Sequence, residues 1–156
     1  MTLRAANRWG ALMVCGLVAL FPAFVDGAGP YQFYSLTPCR VADSRNPNGL
    51  SGGPALQHGV TRLFPVQGIC GVPQGAKAVA LNVTIVAPTG LGHLTIWPSN
   101  IGKPTVSTIN FSPEESALSN GAIVPLSGLD LDLALEPTVV GNGTVHVVLD
   151  VTGYFQ

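Results

Sequence analysis

Between Lys77 and Pro98 apolar and polar positions alternate with a period of two. Val79, Leu81, Val83 and Ile85 fall on one face of an extended run, Ala87 to Gly92 (APTGLG) interrupts it, and Leu94 and Ile96 resume it. Two alternating runs around a Pro/Gly break predict a β-hairpin, the centre of an all-β domain. The alternation is sharpest from Leu129 to Leu135 (LDLDLAL), which predicts a strand with leucines inward and Asp130 and Asp132 on a wet face. From Thr144 to Tyr154 the pattern buries Val145, Val147, Leu149 and Val151 and turns His146, Asp150 and Thr152 the other way. Gly141-Asn142-Gly143, just before it, predicts a hairpin turn, because Asn-Gly accommodates positive φ.

The remaining segments are shorter. Tyr31 to Leu36 reads as a first strand that Thr37-Pro38 ends, and Cys39 to Ala42 as a second. Asp43 to Pro54 (DSRNPNGLSGGP) and Gly68 to Ala76 are loops by their density of turn formers. Thr61 to Val66 is a strand that Pro65 places at an edge or an end. Val106 to Phe111 and Leu118 to Leu126 are further strands, the latter with a bulge at Gly121. Ser112 to Glu115 is a helical turn or a tight turn. About eight or nine short strands without a helix predict an all-β, two-sheet antiparallel β-sandwich, with the jelly roll among its topologies. The absence of a threefold repeat argues against a β-trefoil.

Composition agrees with this class. The chain is 47% hydrophobic and only 10% charged, with 19 Gly and 13 Pro, which argues against disorder and against a helical bundle. The first residues differ from the rest: Arg4 and Arg8 precede an apolar run from Trp9 to Val25, and Gly27 and Ala28 follow. This predicts a signal peptide over residues 1–27 and a single domain over 28–156. A retained membrane span fits less well, because Pro22 breaks the run and no basic flank follows it. Lipidation at Cys15 is disfavoured by the bulky Val14 before it. An exported chain then keeps Cys39 and Cys70, and an oxidising compartment predicts their disulfide over a zinc site, which would want a CxxC spacing, or a lone reactive thiol. Past the leader, Arg40, Arg45, Arg62, Lys77 and Lys103 stand against Asp43, Glu114, Glu115, Asp130, Asp132, Glu136 and Asp150, five against seven, for a net charge of −2. Without a basic stripe, nucleic acid is a poor partner.

The stretch Thr37-Pro38-Cys39-Arg40-Val41-Ala42-Asp43-Ser44-Arg45, then Gly71-Val72-Pro73 with Ala78 to Thr84, Gly92 to Pro98, Ile109-Asn110-Phe111 and Asp150 to Phe155 follow a recognisable order. This chain resembles a family of secreted bacterial cell-surface β domains with the pattern TPxRVxDTR, GVPxxAxAVxLNVT, GHLTxxP, LNF and DVxGYF. Ser44 departs from the pattern's Thr and Ile109 from its Leu. The resemblance spans nearly all of the chain past the leader. It implies export and an all-β fold and brings no catalytic residues.

Candidate chemistry is sparse. Arg40, Asp43, Arg45 and Asp150 form either a ligand-binding fork or, on the favoured reading, ion pairs that tie the two ends of the domain together. Glu114 and Glu115 are adjacent and point apart in an extended stretch. Asp130 and Asp132 on one strand face would stand roughly 7 Å apart, a spacing known from glycosidases, but nothing desolvates them, so a solvated face is favoured. His58, His93 and His146 lack metal-site spacing, and no GxSxG elbow or GxGxxG loop is present, so no catalytic residue, metal or cofactor is predicted. Asn82-Val83-Thr84 and Asn142-Gly143-Thr144 match a glycosylation sequon but read as strand and turn chemistry. Trp97, Tyr31, Tyr34 and Tyr154 are the candidates for an aromatic platform against sugar rings, with packing in the core as the alternative. The function expected is an exported, non-enzymatic module for adhesion or assembly at the cell surface. The alternatives are a polysaccharide-binding module, or a subunit that adds residues 31–36 to a neighbour's sheet. Its partners are then extracellular polysaccharide or another surface protein, with no membrane partner after cleavage.

Overall fold

The computed structural model describes residues 29–156, so the expected leader lies outside the described residues. Among the described residues nine strands form two antiparallel sheets packed face to face. They are β1 (Phe33–Asp43), β2 (Leu56–Gln57), β3 (Arg62–Phe64), β4 (Ala78–Val86), β5 (Gly92–Pro98), β6 (Ile109–Phe111), β7 (Ala117–Pro125), β8 (Leu133–Val139) and β9 (Thr144–Phe155). The first sheet runs β1-β9-β4-β7, with the short β2 also on β9, and the second runs β3-β8-β5-β6.

The pairs β1–β9, β3–β8, β4–β7 and β5–β6 are those of one long hairpin folded at β5–β6. Rolling that hairpin up adds the contacts β4–β9 and β5–β8. This is a jelly roll, with β2 as a small addition. The roll explains two departures from the sequence expectations. β4 and β5 are not a hairpin: they lie in opposite sheets, and Ala87 to Leu91 carries the chain from one to the other. Gly141 to Gly143 is likewise a crossing between β8 and β9, although Gly141 and Asn142 do take the positive φ of a tight turn (76° and 56°). Period-two alternation marks a strand but does not choose its partner.

Two further expectations differ, and one left open between two readings is decided. Thr37-Pro38 does not end the first strand; β1 continues to Asp43 across a register shift between Ser35 and Cys39. Of the two readings of Ser112 to Glu115, the tight turn is the one found, at residues 113 and 114. Gly121 is not bulged, because β7 pairs with β4 in unbroken register from Ala117 to Pro125.

The core lies between the sheets. Val79, Leu81, Val83 and Ile85 from β4 and Val145, Val147, Leu149 and Val151 from β9 meet Leu94, Ile96, Leu133 and Leu135 from the second sheet, each nearly or fully buried. Their alternation with half-buried positions in β4 is the pattern read from the sequence. Cys39 and Cys70 form a disulfide, with Cα atoms 5.7 Å apart, that fixes the 68–76 loop against β1.

Candidate functional site

Strand β9 sits between β1 and β4, and its register breaks against both at one level. Gly153 faces Ala80 and Ser35, while Val151 faces Leu81 and Cys39, so Thr152 is an extra residue of β9 against β4, whereas against β1 the three residues Leu36 to Pro38 stand opposite that one. Bulges re-aim side chains and open space beside them. Here an open groove of about 590 Å³ results on the outer face of the first sheet, lined by Pro38, Arg40, Asn82, Asp150 and Thr152.

The charges of the groove are held by a chain of ion pairs. Arg40 donates from Nε and Nη2 to the two Asp150 carboxylate oxygens at 2.8 and 3.2 Å, and from Nη1 to Asp43 Oδ2 at 3.2 Å. Asp43, nearly buried, also accepts from the Arg45 side chain at 2.8 and 2.6 Å and from the Arg45 backbone N–H at 3.1 Å. These bonds to Arg45 hold the Asp43 carboxyl down at about 2. The hydrogen bond to Asp150 raises Arg40 above the ordinary guanidinium value. Of the five N–H donors of Arg40, the three in these bonds face carboxylates, and the remainder point into an exposed environment. Asn82 spends only its amide nitrogen, on a long bond of 3.4 Å to Thr84, and leaves its carbonyl oxygen open.

Aromatic rings continue this face. Phe33 and Phe155 are cross-strand partners on the outer side, with ring centroids 5.1 Å apart, and Phe33 is 52% exposed. A Cβ at Gly153 would overlap the Phe33 ring, so the glycine is what lets that ring lie down on the sheet. Neither Phe33 nor Phe155 stood among the aromatic candidates read from sequence. The motif ending in Gly153-Tyr154-Phe155 carried the signal, since a glycine two residues before an aromatic on a strand leaves room for a diagonal cross-strand ring, here that of Phe33.

The four aromatics that were candidates divide. Trp97 is 4% exposed and its Nε1–H donates to the Ile101 carbonyl, so it offers no face to a ligand. It points away from the core side of β5 and is covered by the loop after β5, which the alternation could not foresee. Tyr34 and Tyr154 stack on each other at 5.1 Å on the core-facing side of the sheet end, and Tyr34 stays 43% exposed. Tyr31 is exposed at the start of the described chain. Residues 31–36 are already engaged, with Phe33, Tyr34 and Ser35 paired to β9 and Gln32 bonded to Gln156 through both backbone groups.

The acids paired by strand spacing also separate. Asp130 is exposed in a turn, whereas Asp132 is fully buried, before β8 begins. Its Oδ2 accepts from the Val66 and Gln67 backbone N–H groups at 2.9 and 2.8 Å, and its Oδ1 from the Gln67 amide. The expected wet face for Asp132 is therefore wrong: it terminates backbone donors of the strand-end at Pro65 that have no ladder partner. A serine–histidine pair not foreseen in the sequence, Ser44 Oγ and His146 Nδ1 at 3.1 Å, is likewise structural in surroundings. Ser44 is 1% exposed and its hydroxyl accepts the Val147 N–H at 2.8 Å, so it presents no nucleophile to solvent. Arg62, also unforeseen, donates to the carbonyls of Gly49, Gly52, Gly53 and Pro54 and fixes the 43–54 loop. Among the described residues no three His, Cys, Asp or Glu side chains gather as metal ligands.

Comparison with protein-family models and with curated proteins finds no match.

Proposed function

We propose that the protein is an exported, non-enzymatic β-sandwich module that works outside the cell by adhesion, using the outer face of its five-stranded sheet. The observation that carries this reading is the open groove at Pro38, Arg40, Asn82, Asp150 and Thr152, continued by the exposed Phe33 ring on the same face. The disulfide favours an oxidising compartment, as does the apolar leader of the sequence. Carboxylates that already accept from arginines or backbone amides are poor acids and bases, which favours binding over catalysis.

Within this reading polysaccharide is the adherend that the chemistry suits best. A flat aromatic ring matches the apolar face of a sugar, and guanidinium N–H and amide C=O groups beside it match hydroxyls. Binding to immobilised bacterial and plant polysaccharides, measured with parent protein, Phe33→Ala and Asn82→Ala, tests it. Both side chains lie on the outer face away from the core between the sheets, so loss of about tenfold in affinity with thermal unfolding still cooperative is expected. Equal binding by parent and both variants would remove this face from the function. Binding to surface proteins but no polysaccharide, still lost in Phe33→Ala, would keep the face and change the adherend.

A further inference from the structure

The first sheet has two edges, and they are built differently. The β1 edge is bent by its register shifts, and the Cys70 loop lies against it, with Cys70 Sγ 3.6 Å from the Arg40 carbonyl. The β7 edge has no register shift and no disulfide-held loop against it; a neighbouring loop touches it through Asn120, whose Nδ2 donates to the Thr108 carbonyl at 2.8 Å. Nine residues, ALSNGAIVP, pair with β4 without a shift, and not one of them is charged. Sheet edges are ordinarily blunted by lysine, bulges or covering loops, because free N–H and C=O groups template further strands.

The hydrogen-bond phase of this edge follows from its neighbour. Leu126 N–H donates to the Lys77 carbonyl and Ala87 N–H to the Ser116 carbonyl. In an antiparallel ladder every second residue then points its backbone at β4, namely 118, 120, 122 and 124. Ala117, Ser119, Gly121, Ile123 and Pro125 point theirs outward.

We propose that β7 pairs with β7 of a second copy of this chain, antiparallel, about a two-fold axis through Gly121. In that register Gly121 opposes Gly121, Ser119 opposes Ile123, and Ala117 opposes Pro125. Every outward N–H then meets a carbonyl, for about eight hydrogen bonds across the interface. Pro125, which has no N–H, falls opposite Ala117, so the missing donor strands no N–H group. A shift of two residues would bring Pro125 opposite Ser119 or push it past the end, losing bonds at both ends.

Side chains agree with the axis. Glycines on it meet without a clash, and a Cβ at Gly121 would find open space. On the core side Leu118 of the second copy faces Val124, where an apolar groove of about 380 Å³ opens between β7 and the loop that carries Ile101, Pro104 and Val106. Ile101, Val106 and Ile123 are each more than half exposed around it. A second copy brings the apolar Leu118 to fill that groove and no charge to be desolvated. The paired edge would join two first sheets into one continuous sheet and set two outer-face grooves on the same side, so a dimer would grip bivalently. The pairing itself does not depend on what those grooves bind.

Light scattering across size-exclusion runs from about 1 µM to about 1 mM should show the mass rising from monomer to dimer, a range that brackets weak association. Gly121→Cys should give a covalent dimer on mild oxidation, because residues opposed in a hydrogen-bonded pair lie about 5.5 Å apart, within disulfide reach. Gly121→Pro and Ile123→Lys should each weaken association at least about tenfold while thermal unfolding stays cooperative. A parent that stays monomeric at every concentration overturns the proposal. So does a dimer that Ser35→Cys on the β1 edge traps and Gly121→Cys does not, or one that neither edge variant weakens.

Discussion

Asp132 and Asp130 are two residues apart in an alternating run, yet the structure assigns them opposite costs. Replacing Asp132 by Ala removes the acceptor of the Val66 and Gln67 backbone N–H groups and of the Gln67 amide. Val66 is fully buried, so its N–H cannot turn to water, and an orphaned buried donor costs about 1–3 kcal/mol. The Gln67 N–H, partly buried, adds a similar or smaller amount, for a total of about 3–4 kcal/mol. In a domain of this size that is a large share of a stability of about 5–15 kcal/mol. Asp132→Asn should cost less, about 1–2 kcal/mol, because one amide oxygen can still serve both backbone donors while the Gln67 amide loses its acceptor. Asp130→Ala, at an exposed turn, should stay within about 0.5 kcal/mol of the parent. Urea unfolding at neutral pH, followed by fluorescence of the buried Trp97, reads all three. Equal midpoints for Asp132→Ala and Asp130→Ala would refute the capping role and restore the wet-face reading.

Asp43 gives a pH signature. Its carboxyl is depressed to about 2 in the folded protein, so its pairing with Arg45 and Arg40 stabilises fully above about pH 4, the unfolded carboxyl range, and that stability is lost as pH falls towards 2. Asp43→Asn should flatten the fall of the urea midpoint between pH 4 and 2; parallel curves for parent and variant would count against it. Reducing the Cys39–Cys70 bridge, or replacing both by Ser, releases a loop of 31 residues and should lower stability by about 3–4 kcal/mol on the chain-entropy account. Calorimetry of the two forms checks this, and a difference below about 1 kcal/mol would show that the 68–76 loop is held without the bond.

What was legible in the sequence was what depends on neighbours along the chain. The alternation in β4 and β9 marks their buried valines because side chains on one strand take opposite faces regardless of partner. The two-sheet class follows from many short strands with turns between them. Strand pairing was not legible, since in a rolled hairpin nearly every link crosses between sheets, and a link such as Ala87 to Leu91 has the Pro/Gly character of a hairpin turn without making one. The LDLDLAL run misled for a related reason. Leu129 is exposed and the strand starts only at Leu133, so Asp132 follows the demand of two orphaned amides and not the period of a strand it precedes.

The ion pairs among Arg40, Asp43, Arg45 and Asp150 could be anticipated because a lightly charged chain rarely buries an acid without a partner. The groove could not, since it arises from a register break shared by three strands. Thr152 is extra on β9 against β4 at the level where Leu36 to Pro38 stand three to its one on β1, and a bulge belongs to a pairing, not to a strand. That one break has two consequences on the same sheet. It bends the β1 side, which opens the Arg40–Asp150 groove and spoils the β1 edge as a template for another strand. It leaves β7, at the far side of β4, in unbroken register and free of charge. The groove reaches β4 at Asn82, the direct cross-strand partner of Gly121, so a single strand separates it from the β7 edge. Deleting Thr152 restores the β4–β9 register and should alter the groove while leaving the β4–β7 pairing, and with it the proposed association through β7, unchanged.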